Sequence, residues 1–417
     1  MHLTGNTQLL RMKAIPHGIC NASRPTSVTP IKNERHNFWK AVFFTVIAGT
    51  AFLLLCIVQA TSPPAAVKVT VKPERPLIER RDTLQSINFD FVLENTGSKP
   101  LHLNRIEIAI FDSDGKLELR RELDENGHPS GMTTIETRDL PAGSAIGIFN
   151  PFTTFGDEIT LAKVSYTFFF NESDYRTATP LDYQFMAEVT VTPQQYIGKT
   201  ELVLPVRART IVFDGHDLYA HHRRLNPADP EVRKFLPSGN ADRYAYDLCP
   251  VNPNGEMYKD TPYEKKNWYG YGVPVYATGN GRVVFAVNDV PENSYQYKKV
   301  IYADLPQTDK YKRSNGNFVV IDHGNGEYSH FDHMKPGSVR VKSGDQVKQG
   351  DQIGAIGFSG DAFIPHLHYM LTDNADPFHA EGLPSYFHNF RRILGSSTRD
   401  VDKGQIDSGD IVEPNTN

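Results

Sequence analysis

The chain has 417 residues, with 44 Lys and Arg against 49 Asp and Glu and a formal net charge of -5. That length predicts two globular domains plus extras, and the 39% hydrophobic and 22% charged fractions predict a folded chain. The acidic balance, with no basic stripe interleaved with aromatics, excludes a general nucleic-acid binder.

Residues 1–40 read as a basic cytoplasmic tail, in which Arg11, Lys13, Arg24, Lys32, Arg35 and Lys40 face one acid, Glu34. Residues 41–58 carry no charge. As a helix they would span about 27 Å, close to a bilayer's hydrocarbon core. Residues 41–60 are therefore expected to be a transmembrane anchor, and the positive-inside bias puts everything after Thr61 outside the cytoplasm. The alternative is a cleaved signal peptide, since Val58-Gln59-Ala60 fits a small-residue cleavage site. Of the three cysteines, Cys20 precedes this segment, Cys56 lies inside it, and only Cys249 falls in a folded region. A disulfide framework and a zinc site built on CxxC pairs are both excluded.

After the Ser62-Pro63-Pro64 break, apolar and polar residues alternate at Val67 to Lys72, Ser86 to Leu93, Ile106 to Ile110, Lys163 to Phe169 and Phe185 to Val191. Turn signals such as Asn95-Thr96-Gly97-Ser98 separate several of these runs. The pattern predicts an antiparallel β-sandwich of immunoglobulin-like type over 65–208, a spacer or binding module with no catalytic constellation. From about Thr210 histidines concentrate while short strands continue, so the fold class is mostly β. Residues 394–417, with Asp400, Asp402, Asp407, Asp410 and Glu413 among Ser and Gly, are expected to be a disordered acidic tail.

The chemistry concentrates at Pro365-His366-Leu367-His368-Tyr369. Two histidines two residues apart on a strand face the same side, so one can hold a metal while the other reaches a bound substrate. His-x-His alone is a weak signal. It is strengthened by an ordered series: Arg243-Tyr244-Ala245-Tyr246-Asp247, Gly272-Val273-Pro274-Val275, Gly316-Asn317-Phe318-Val319, His333-Met334-Lys335-Pro336-Gly337, the glycine-punctuated stretch 344–354, and Gly357-Phe358-Ser359-Gly360.

In that order these pieces resemble the lysostaphin-like zinc metallopeptidases, the LytM-type peptidoglycan endopeptidases, over residues of about 210–387, and 209–393 is the domain expected to carry them. The resemblance implies a β-sheet peptidase domain in which Asp247 and His368 bind zinc and His333 and His366 are the catalytic histidines. The third ligand is open. The family's histidine position holds Arg243, a permanent cation that cannot bind a metal. A branch of the family has an upstream His-His pair, which here is His221-His222. On a strand only one of the two would face the metal, with His222 favoured and His221 as substitute. The pair also reads as a solvated basic segment with Arg223-Arg224.

His330 reads as a supporting or structural residue, and His216, His323, His379 and His388 as bystanders. Trp268, Tyr269 and Tyr271 would line a substrate groove or pack in the core. The resemblance implies a zinc endopeptidase of the inner membrane, single-pass, acting in the periplasm on peptidoglycan cross-links, with cell-wall or division-complex proteins as further partners. The rival reading is a non-catalytic protein of the same fold that binds cell wall or activates amidases.

Overall fold

The computed structural model describes residues 66–172 and 183–415. The expected cytoplasmic tail and membrane anchor lie outside the described residues. What is described is mostly β, with helices of no more than 6 residues.

Alternation builds the N-terminal sheets. In the strand Lys163–Glu172, Val164, Tyr166, Phe168 and Phe170 are fully buried, while Ser165, Thr167 and Phe169 between them are half-buried. Successive side chains leave a strand on opposite faces, so one face of this strand becomes core. Its antiparallel neighbours are Phe185–Val191 and Leu101–Phe111, and Leu117–Leu123 pairs with the latter. A second sheet, formed by Val67–Lys72, Asp90–Asn95 and Ala145–Phe149, packs against it. Phe91 meets Tyr166 and Phe168 edge-on, with ring centroids 4.8 and 4.9 Å apart. The two sheets share one apolar core. A smaller sheet is built around the hairpin of Leu77–Arg81 and Leu84–Ile87.

A second core supports a larger sheet. Its middle runs Thr210–Asp214, Tyr246–Pro250, Leu367–Thr372, Tyr328–Met334 and Asn317–Asp322, all antiparallel. Tyr246, Leu248, Leu367, Tyr369 and Leu371 enter the core. By the period of two, Asp247 and His368 emerge on the opposite face.

Two boundaries differ from expectation. Leu202, Leu204 and Val206 belong to the second core, and Leu202–Val203 pairs with Phe387–Leu394, so the first region ends short of residue 208. The expected disordered tail is instead ordered over its described residues, 394–415. Ser397–Gly404 forms a hairpin with Phe387–Leu394, and Ile411–Pro414 fits between that strand and Thr210–Asp214. Ile406 and Val412 anchor it in the core, and its acids meet arginines: Asp400 with Arg391 at 2.9 Å, Asp410 with Arg392 at 3.0 Å.

Candidate metal centre

Asp247 and His368 are direct partners across two antiparallel strands, so their side chains stand next to each other. His368 Nδ1 lies 3.1 Å from Asp247 Oδ1, and its Nε2 lies 3.4 Å from Asp242 Oδ1. His366 sits just before the strand Leu367–Thr372. Its Nδ1 donates to the Ile364 carbonyl at 2.8 Å, which turns Nε2 to 3.1 Å from Asp247 Oδ1. His333, in the last turn of strand before Met334, has φ of +63°, a conformation that is strained for a non-glycine residue. Its Nδ1 donates to the Ser359 carbonyl at 2.9 Å, leaving Nε2 as the free nitrogen. The His333 and His366 rings are 4.8 Å apart.

The His-His pair is not on a strand. His222–Arg224 is a single 3-10 turn entered from His221 in helical conformation. Neighbours on such a turn are separated by about 120°, not opposed. Both rings therefore approach the cluster, 4.0 Å from each other. They differ in depth. His222 is 3% exposed; its Nδ1 donates to the Gly215 carbonyl at 3.2 Å, and its Nε2 points to Asp247 Oδ1 at 3.3 Å. The His221 side chain is 56% exposed, is bonded to Asp214, and keeps Nε2 3.8 Å from Asp247 Oδ2.

Among the described residues, three sets of donor atoms lie within 4.8 Å of one another: His222, Asp247 and His368; His333, His366 and His368; and Asp214, His221 and His222. The first set fits zinc. Zinc binds N and O donors at about 2.0–2.1 Å in a tetrahedron, which spaces its ligand atoms by about 3.3 Å. The two Asp247 edges of this set measure 3.3 and 3.1 Å. Carbonyl or carboxylate partners on the far nitrogens of His222 and His368 fix the ligating nitrogens.

The charges of the cluster shift its groups in opposite directions. Burial pushes the Asp247 carboxyl up, but His366 and His222 outweigh it and hold its pKa well below the usual range. Burial, reinforced by His366 and His368, holds the His333 pKa well below that of free imidazole. Burial lowers His368, yet Asp242 and Asp247 raise it well above the ordinary value. A cavity of about 570 Å³ opens beside the cluster. Its lining includes Glu231, Asp242, Asp332 and Asp361 and no Lys or Arg. Asp332 accepts from Asn315 at 2.6 Å, and burial pushes its carboxyl up to about 7.

Arg243 turns away from the cluster and pairs with Asp90 and Glu381. His330 is buried and bonded to Thr372 Oγ1 at 2.9 Å, outside the donor sets. His216 is buried too, 3.1 Å from Glu79. Trp268, Tyr269 and Tyr271 do not line the cavity; Trp268 packs on Tyr258 and donates to the Pro262 carbonyl at 2.9 Å. Sequence reasoning missed Asp242, Asp214 and Asn315. Only Asp242 carried a signal, as an acid directly before the Arg243-Tyr244-Ala245 segment.

Residues 269–380 match peptidase family M23 and form an M23 domain. That segment includes His333, His366 and His368 and starts after His222 and Asp247. The chain is 34% identical over 109 residues to peptidoglycan DD-endopeptidase ShyA of Vibrio cholerae, covering 26% of this chain and 20% of the relative. It is 32% identical over 127 residues to peptidoglycan DD-endopeptidase ShyC of the same organism, covering 30% of this chain and 23% of the relative. The chain thus spans about a fifth of the length of these curated relatives. Among solved structures, the deep-sea M23 metalloprotease pseudoalterin shares 14% identity over 48% of this chain and 85% of its own, with a TM-score of 0.25.

Proposed function

We propose that this chain, with its M23 domain at residues 269–380, is a zinc endopeptidase that hydrolyses peptide bonds in peptidoglycan cross-links. The observation that carries the reading is the buried trio His222, Asp247 and His368, whose donor atoms converge within 4.8 Å next to two further histidines. The donor set has the chemistry and spacing for zinc and leaves a fourth position for water. When bound there, zinc supplies Lewis acidity toward a carbonyl and brings the pKa of a coordinated water to about 7.

The remaining work falls to this chain's own groups. His333 and His366 each present Nε2, with Nδ1 committed to a backbone carbonyl. One accepts the proton of the attacking water at Nε2 and delivers it to the leaving amine, and the other, when it carries a proton at Nε2, hydrogen-bonds the developing oxyanion. Asp242 orients His368, and the Gly215 carbonyl orients His222. The acidic cavity favours a peptide segment bearing positive charge.

The reading extends to the rest of the chain. Residues 41–60 anchor it in the inner membrane by their length and lack of charge, and the basic tail before them places the sheets in the periplasm. The first pair of sheets is an immunoglobulin-like sandwich, and division-complex proteins are further partners. A non-catalytic role is disfavoured, because Asp247, His333, His366 and His368 all stand in one cluster and a binding protein has no need of them. Metal analysis of the purified full-length chain tests the reading. About one zinc per chain is expected, and less than about a tenth of an equivalent after gentle purification contradicts it.

A further inference from the structure

We infer that Asp90, a residue of the N-terminal sheets, is a positioning residue for the metal centre, holding the His222 turn and the approach to Asp247 through two buried arginines. The inference rests on the zinc reading above. Asp90 opens the strand Asp90–Asn95 and is 1% exposed. Its carboxylate oxygens are divided between two guanidiniums: Oδ1 accepts from Arg223 Nη1, and Oδ2 from Arg243 Nη1 at 2.6 Å. Arg223 directly follows His222. It also donates through Nη2 to the Phe89 carbonyl at 2.7 Å and through Nε to Asn88 Oδ1 at 3.3 Å. The turn that carries the ligand is thus bonded to three consecutive residues of the first region.

The second arginine closes a circuit. Arg243 belongs to the 3-10 turn Ala241–Tyr244, which leads into the strand Tyr246–Pro250 that bears Asp247. Its Nε donates to Glu381, whose other oxygen accepts from the Asn240 amide at 3.0 Å. The Asn240 side chain donates to the His222 carbonyl at 3.2 Å. Asp242, the partner of His368 Nε2, lies on the same turn. Both ligand histidines and the strand of Asp247 are therefore fastened to one frame that ends on Asp90.

The chemistry of the frame explains why it holds position. Neither arginine can shed its proton, so each buried guanidinium must stay where a carboxylate meets it. A carboxylate with a guanidinium on each oxygen cannot swing without breaking a charge-assisted bond. Arg243, at the position where a ligand was expected, thus serves the metal by fixing the residues that replace that ligand. The first region is a part of the site's scaffold and not only a spacer.

The test compares full-length wild type, Asp90→Asn and Asp90→Glu by competition with a chelator of known zinc affinity. Unfolding curves in excess chelator establish which variants are folded. A purely stabilising ion network would move those curves and leave the zinc affinity of the folded chain alone. Each folded variant is expected to bind zinc about 10–100-fold more weakly, the range for losing a group that orients ligands. The visible absorption of the cobalt(II)-loaded site is expected to shift with it. Asp90→Glu keeps the charge, displaces the carboxylate by one methylene, and decides the matter if Asp90→Asn does not fold. Affinity in a folded variant within about twofold of wild type, against that expected range, overturns the inference. A wild type that binds no zinc overturns the metal reading, and the inference with it.

Discussion

Single hydrogen bonds decide the role of each histidine. The Gly215 carbonyl commits His222 Nδ1 and frees Nε2 for a metal, whereas His221 spends its Nδ1 on Asp214 at the exposed rim. His222→Ala is accordingly expected to release zinc on dialysis, and His221→Ala to retain it; the opposite result moves the third ligand to His221. The sequence singled out His333, His366, His368 and Asp247 because they stand in an ordered series of motifs, and the structure brings them into one cluster. The sequence did not reveal Asn240, because a bond to a ligand's backbone leaves no spacing to read. It also placed the His-His pair on a strand, where period-two logic separates the rings. A 3-10 turn brings both rings to one side, and their burial and their Nδ1 partners distinguish them.

At the level of elements, alternation gave a sound reading and composition misled. The run at Val164 to Phe170 buries every second side chain, and Phe89, Phe91 and Leu93 likewise enter the core, so their strands were legible. The last strands were not. Few apolar residues mark them, and their acids are neutralised by Arg391, Arg392 and Arg209, partners that local composition does not show. Ile406, fully buried, and Val412, 1% exposed, nevertheless pin this segment to the second core. Ile406→Ala is expected to lower stability by about 2–5 kcal/mol in urea unfolding, the cost of a large-to-small change in a packed core. An unchanged midpoint would mean that the segment is dispensable, as a disordered tail would be.

Across the whole molecule, buried polar groups join the two cores. Besides Asp90, Glu79 is fully buried and meets His216 Nε2 at 3.1 Å, Gln405 at 2.7 Å and Asn88 at 2.9 Å. His216, expected to be a bystander, is half of this link. Burial raises the Glu79 carboxyl, but His216 and Arg81 outweigh it and leave its pKa below the ordinary value. Below the unfolded pKa of about 4.3, the unfolded chain takes up this proton before the folded one, so the stabilisation is full above that pH and fades as pH falls. Glu79→Gln is expected to cost about 3–5 kcal/mol at neutral pH, as for a broken buried pair. The gap to wild type should narrow in acid; a gap independent of pH contradicts the linkage. The proposed His222–Asp247–His368 zinc centre, served by His333 and His366, cuts peptidoglycan peptides. Its most direct test is digestion of purified sacculi by the full-length chain, with released fragments identified by mass. Wild type is expected to release fragments split at a peptide bond, and chelator, His368→Ala, His333→Ala and His366→Ala to stop the release, the last two with metal retained. No release by zinc-loaded wild type, or release that persists in His368→Ala, would contradict the account.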